Sequence, residues 1–366
     1  MSELLDCPHS YFCSGCDAIT LAYKTQKAQK MARLEQILNG FDDAPQIQFQ
    51  SFGTRALRSR LDFTIDHGKL GLFSHLTKKI EDLPSCLQLS PQLTDAYFRF
   101  RQIHHPSLKG SFRLRVSPKA DIGIWLDFSN EAVKILLEEK HYLLELQQLG
   151  FVEIGQRHKA LYTKLDGTLG VKAPEFHPWS RSNLYSKPID LFSTVASFTQ
   201  PSHISNDWIT QKISEWSLTL QPENILEFGS GIGNLSFASL ANTNTQLTAL
   251  EFDSLSFEAL QVNAKALGVQ DQIKSLNGDF RKETELSFQK PFDLLLLNPA
   301  RNGVGDLLKN PKLNPEHVIY MSCYPESFGL DTQNLSGRGY SLKEIWIVDQ
   351  FPQSHHMEIL SHWERN

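Results

Sequence analysis

Apolar side chains recur at helical spacing over residues 17–40 (DAITLAYKTQKAQKMARLEQILNG), at Leu21, Ala28, Met31, Leu34 and Ile37, and Gly40 supplies a stop. From Ile47 to Phe73 the period shortens to two. IQFQSF and LDFTIDHGKLGLF read as strands, the second folded at His67-Gly68, and SFRLRVS and IGIWLDF continue the pattern. Helical spacing returns over 131–149 (EAVKILLEEKHYLLELQQL). The front of the chain therefore reads as helix plus antiparallel strands.

The rhythm changes after about residue 205. ILEF, LTALEF, IKSLNGDF, FDLLLLN, HVIYMS and YSLKEIWIVDQF are short apolar runs, most of them separated by amphipathic segments. That alternation predicts a doubly wound, mainly parallel α/β sheet, whose ligands sit at the carboxyl ends of its strands.

Composition places few limits on this picture. The 366 residues suffice for two or three domains, and neither a membrane-spanning apolar run nor a signal-peptide pattern is present. A soluble cytoplasmic protein is expected. Charge is more informative by region than in total. The net charge is −5, yet residues 1–120 hold sixteen Lys and Arg against eleven Asp and Glu. Arg99–Lys119 carries six Lys and Arg, two His and no acid, with Phe100 and Phe112 interleaved. Such a stretch can neutralise phosphates and stack on bases. The plainer reading is a solvated hairpin turning at Lys109-Gly110. Three of the five cysteines crowd into CPHSYFCSGC, residues 7–16, and in a reducing compartment such a cluster points to metal or redox chemistry.

ILEFGSGIGNLS (225–236) is a buried strand running through a glycine-rich turn into a helix. Gly229, Gly231 and Gly233 permit a sharp turn and close approach of a ligand. Glu251 ends the next strand, where a carboxylate can take ribose hydroxyls. Asp279 ends the third, within reach of an adenine amino group, and Asn298-Pro299 ends the fourth. A nicotinamide enzyme shares the first two elements. The polar-Pro corner has no role there, so the series fits a class I methyltransferase using S-adenosylmethionine. HVIYMSCYPES places Cys323 at the same edge of the sheet, and DQFPQSHHMEIL contributes Glu358. A thiolate and a base beside a methyl donor suit methylation of a pyrimidine at C5: the thiolate adds to C6, C5 takes the methyl group, and the base removes the C5 proton.

These residues resemble the RNA 5-methyluridine methyltransferase family over nearly the whole chain. SFTQPS, EFGSGIGN, NPARNG, the Ser322-Cys323 pair, the stretch around Glu358 and the cysteine cluster carry the likeness. The resemblance implies a C-terminal Rossmann-like S-adenosylmethionine domain over 196–366. It also implies a cysteine-cluster region with strands over 1–90 and a central α+β RNA-binding region over 91–195. It assigns Cys323 as nucleophile and Glu358 as proton acceptor, and Gln200, Gly229, Gly231, Gly233, Asn234, Glu251, Asp279 and Asn298 to the cofactor site. It further assigns Cys7, Cys13, Cys16 and the distant Cys86 to a [4Fe–4S] cluster; four thiolates also suit zinc. With six residues before Cys7, no separate RNA-binding barrel is expected ahead of the cysteines. The likeness is to the smaller bacterial 23S rRNA uridine methyltransferase, acting as a monomer, with tRNA as the alternative substrate. A non-catalytic, metal-stabilised RNA-binding protein is the rival from another class. Ser202, Ala300, Gly229 and Tyr324-Pro325 depart from the family pattern.

Overall fold

The computed structural model describes residues 4–41, 44–128, 133–155, 158–282 and 291–366. Its contacts divide the chain into two compact units: Met1–Tyr23, Gly53–Ser180 and Phe192–His203 form one, and Lys24–Phe52, Arg181–Leu191 and Ile204–Asn366 the other. The boundaries expected at 90/91 and 195/196 are not where the contacts divide. Residues 1–90 contribute to both units, because the helix and strand of 24–52 pack with the C-terminal part of the chain.

The first unit is built on an eight-stranded sheet. In spatial order its strands are Ile80–Asp82, Lys69–Phe73, Arg60–Asp66, Lys109–Val116, Ile122–Asp127, Phe151–Ile154, Lys159–Thr163 and Leu169–Lys172. All neighbours are antiparallel except Ile122–Asp127 and Phe151–Ile154, which run parallel. A parallel step needs a crossover, and the helices Val133–Glu138 and Lys140–Leu149 lie in that connection. Residues 131 and 132, where helical spacing begins in the sequence, lie outside the described residues. The helix Pro91–Gln102 starts on Ser90, whose hydroxyl accepts from the Leu93 N–H, with Pro91 at its first position. Leu93, Tyr97 and Phe100 from this helix join Phe63, Phe112, Leu114, Leu126 and Leu146 in one buried core.

The turn expected at Lys109-Gly110 does not form. Both residues begin the Lys109–Val116 strand, registered against Asp66 and Ile65. The arginines of the basic stretch also have internal partners. Arg101 forks onto Asp82 at 2.7 and 3.0 Å, Arg113 binds Asp62 at 2.6 Å, and Arg115 is buried.

The second unit holds the expected doubly wound sheet. Its strands run Gln48–Ser51, Tyr340–Asp349, Glu358–Arg365, His317–Ser322, Leu294–Leu297, Asn224–Phe228, Gln246–Glu251 and Ile273–Asn277. Glu358–Arg365 is antiparallel to both neighbours, while the other described pairings are parallel. The order reverses between Asn224–Phe228 and Leu294–Leu297, so the crevice of a doubly wound fold opens beyond Phe228 and Leu297. Leu294 to Leu297 are all buried, as befits a strand covered on both faces.

The helix read over 17–40 spans Tyr23–Leu38 and ends before Gly40, whose φ is +102°. Its first expected residues instead make tight turns, Ile19 N–H to Cys16 O and Leu21 N–H to Ala18 O. Leu34 is buried as expected, but Ala28 is exposed and Gln26 and Lys30 are buried. Lys30 Nζ donates to Asp349 at 2.6 Å and to the Phe351 carbonyl at 3.0 Å, and Gln26 and Gln353 exchange two bonds of 2.8 Å. Among the described residues no helix is long and apolar enough to cross a membrane.

Candidate active site

The strand Asn224–Phe228 leads into Gly229, Gly231 and Gly233, all at positive φ. A Cβ built on Gly229 would stand 2.4 Å from the Asn298 carbonyl oxygen, and one on Gly233 would meet the Phe237 ring at 2.3 Å. Glycine at 229 thus has a local cause: the two strand ends at the crevice touch there. We expect Gly229→Ala to lower stability by about 1–3 kcal/mol, since both the φ and the contact are lost. Thermal melting with and without cofactor checks this.

Glu251 holds the loop from the neighbouring strand. One carboxylate oxygen accepts from the Gly231 N–H at 2.7 Å and the other from Asp253 N–H at 2.8 Å; burial pushes its carboxyl up. Beneath the loop Glu227 is fully buried, and burial raises its carboxyl to about 8. Its Oε1, Ser230 Oγ and Asn234 Oδ1 are buried without a protein partner. Unpaired polar atoms around a glycine turn are what a polar ligand would satisfy, so these residues fit a bound nucleoside carrying amino and carboxyl groups. Asn234 opens the following helix and donates its amide to Asn206 Oδ1 at 2.7 Å. Asp279 faces Arg281, whose Nε is 3.0 Å away, and that bond holds its carboxyl low. Phe280 beside it stacks on Phe228, with centroids 5.0 Å apart. Phe252, following Glu251, is 75% exposed, leaving a ring face open beside the crevice.

Asn298 N–H bonds the Phe228 carbonyl at 3.1 Å, which ties the polar-Pro corner to the end of the first strand. Three residues on, Arg301 brings its positive charge to bear on Cys323. Burial pushes the Cys323 thiol up, the charge of Glu358 pushes it further, and Arg301 pulls it down. Glu358 begins the antiparallel strand that pairs with His317–Ser322, with Ile359 opposite Ser322. It is buried, and burial raises its carboxyl to about 8 against opposing pulls from a Gln350 hydrogen bond and from Arg301. Gln350 is buried too, its Oε1 accepting from Ser205 at 3.0 Å. Arg301, Gln350 and Phe252 are not singled out by the sequence reading. Arg301 and Phe252 lie within three residues of Asn298 and Glu251, a proximity that means little until the strand ends are aligned.

Gln200 belongs to the first unit and lies within an irregular segment, residues 194–202. Two residues earlier Phe198 is exposed, with the Arg60 guanidinium 5.1 Å from its ring centre. Ser202, one of the departures from the family pattern, is buried.

The first unit also gathers the four remaining cysteines. Cys7, Cys13, Cys16 and Cys86 line one cavity with Arg58 and His9. Burial raises the Cys13 and Cys86 thiols and takes Cys16 up to about 12. Gly15 N–H donates to Cys13 Sγ at 3.4 Å. Among the described residues no group of three or more Cys, His, Asp or Glu is placed to hold a metal ion. Four thiols on one cavity suit zinc or an iron–sulfur cluster by donor chemistry alone.

Comparison with known proteins adds sequence kinship. The family model described as tRNA (Uracil-5-)-methyltransferase matches residues 186–365. An uncharacterized RNA methyltransferase of Bdellovibrio bacteriovorus is 39% identical over 98% of this chain and 95% of its own length. A 23S rRNA (uracil(1939)-C(5))-methyltransferase RlmD of Shewanella baltica is 28% identical over 98% of this chain and 81% of its own. The crystal structure of a Pyrococcus abyssi tRNA (uracil-54, C5)-methyltransferase in complex with S-adenosyl-L-homocysteine shares the fold. Its TM-score is 0.70 at 20% identity, covering 96% of this chain and 86% of that one.

Proposed function

Since the chain belongs to the RNA uracil-C5 methyltransferase family, we propose that it methylates C5 of one uridine in 23S rRNA, using S-adenosylmethionine. The observation that carries this reading is the meeting of Cys323, Glu358 and Arg301 at the carboxyl edge of the sheet, three residues along from the Asn298 that abuts the glycine loop. The rRNA choice is supported by relatives whose match runs along nearly the whole chain; the family name favours tRNA instead.

When bound, S-adenosylmethionine supplies an electrophilic methyl group. Glu251 would take its ribose hydroxyls, with Gly229, Gly231, Gly233 and Asn234 shaping the turn around the nucleoside. Asp279 would hold its adenine, and Asn298 would line the approach to the methyl group. Gln200 contacts the cofactor or the target base. The Cys323 thiolate, stabilised by Arg301, forms a bond to C6 of the uracil, and C5 gains nucleophilic character. After C5 is methylated, Glu358 takes the C5 proton, the C6–S bond breaks, and the electron pair returns to Cys323. C5 and C6 must leave the base stack for this attack, so the target uridine is flipped. Loss of the two charge-assisted bonds at Glu251 predicts that Glu251→Ala raises the KM for S-adenosylmethionine by about 10- to 100-fold. Cofactor titration at saturating RNA reads it.

Cys7, Cys13, Cys16 and Cys86 would hold a [4Fe–4S] cluster, which supplies a cross-link between the chain start and Cys86. Anaerobic purification is expected to yield a brown protein with about four irons per chain, in line with one such cluster. Cys86→Ser is expected to bleach it, and zinc in place of iron by metal analysis would refute the assignment. The function itself is tested by offering labelled S-adenosylmethionine with unmodified 23S rRNA and, separately, unmodified tRNA. 5-Methyluridine in 23S rRNA alone is the expected result. Product in tRNA alone moves the substrate, and RNA binding with no product in either leaves a binding protein.

A further inference from the structure

The mechanism leaves one buried charge cluster unused. In the first unit the guanidinium of Arg115 is fully buried and Glu153 nearly so. Arg115 Nη1 donates to the carbonyls of Thr194, Val195 and Ser197 at 3.4, 3.0 and 3.3 Å, and Nη2 to Thr199 Oγ1 at 2.5 Å. Glu153 accepts from the opposite side of the same backbone, from Val195 N–H at 2.7 Å and Ala196 N–H at 3.2 Å. Arg113 reaches the Ala196 carbonyl, and Arg60 donates to Thr199 O at 2.6 Å. Ser59 N–H bonds Pro201 O at 2.8 Å.

Residues 194–202 have no helix or strand of their own. A segment without a ladder must satisfy its peptide groups elsewhere. Here side chains from three strands do so, two of them buried and ionisable. Burying two ionisable side chains is weak support for stability, since apolar residues of similar volume often serve as well or better. Its use lies in holding one conformation. Gln200 lies in the segment so held.

We propose that Arg115 and Glu153 are positioning residues for methyl transfer, fixing the Thr194–Thr199 backbone so that Gln200 is presented in its working orientation. This rests on the reading of Gln200 as a contact to base or cofactor. The pair acts only through the segment and touches neither reactant.

A double-mutant cycle in the full-length, cluster-loaded protein tests it. Glu153→Gln keeps the shape but replaces one acceptor by a donor. Thr199→Val removes a single bond and preserves the fold if the first variant does not. Each variant is made alone and in combination with Gln200→Ala. Each is expected to lower kcat/KM at least about 5-fold when Gln200 is present and less than about 2-fold when it is combined with Gln200→Ala. Equal losses in both backgrounds, or none in either, would overturn the proposal. Full activity in Gln200→Ala itself would refute the reading of Gln200, and the positioning role with it. Melting temperatures of all variants separate either result from loss of fold.

Discussion

Cys323→Ala abolishes methylation, with an expected loss of at least about 10⁴-fold, because the substitution removes the nucleophile that adds to C6. RNA affinity should change little, since the substitution removes one partly buried sulfur and no charge at neutral pH. The measurement is single-turnover methyl transfer beside a filter-binding titration on the same RNA. Weakened binding in proportion to lost activity would mean that Cys323 is a packing residue. Retained methylation would remove it from the mechanism altogether.

Glu358→Gln should separate the chemistry into halves. Addition of the thiolate and methylation of C5 need no base at position 358; release of the C5 proton does. The variant is expected to turn over about 10²- to 10⁴-fold more slowly and to accumulate a covalent RNA–protein adduct, seen as a slow band on a denaturing gel. In the native protein the free carboxyl sits near 8 through burial, and the Cys323 thiol is raised as well. Both reactive forms are the deprotonated ones, so the rate should climb as pH rises through about 8. Stability runs the other way. A carboxyl raised on folding binds more protons in the native than in the unfolded state between its two values, so its contribution to stability falls as pH rises from about 4.5 to about 8. Glu358→Gln should therefore melt at a less pH-dependent temperature over that window. An unchanged rate profile with no adduct would assign proton removal to another group.

Much of the second unit is legible in the sequence because buried parallel strands are short apolar runs between helices, and residues at their carboxyl ends share one edge. That rule alone brings Gly229, Glu251, Asn298 and Cys323 together. Glu358 needed the family likeness, because its own strand pairs antiparallel between two others and the polar DQFPQSHH stretch hides its beginning. The first unit reads less well. The strands of 151–172 are four or five residues long and carry Glu153, Lys159 and Lys172, with Phe151 and the neighbouring Leu165 exposed. The Ser90-Pro91 helix start was available as a signal, yet the basic run after it reads more readily as a surface. Arg113 and Arg115 show why: on a strand their charge looks solvated, and only the partner strands reveal that their targets are internal peptide groups. Lys30 and Gln26 broke the helical pattern for the same reason, as polar residues buried against polar partners.

The bond between Lys30 and Asp349 spans 319 residues of chain. At a synthesis rate of about 5–20 residues per second, the helix carrying Lys30 leaves the ribosome on the order of 16–60 s before its partner exists. Through that interval the Gln48–Ser51 strand has no Tyr340–Asp349 neighbour to pair with. The sheet can close only after Arg365 has been added, because Glu358–Arg365 occupies an interior place in it. A chain stopped at Met357 lacks an inner strand, so truncation there should yield insoluble material, and partial activity is not expected from it. Folding of the catalytic unit thereby waits on the Glu358–Arg365 strand.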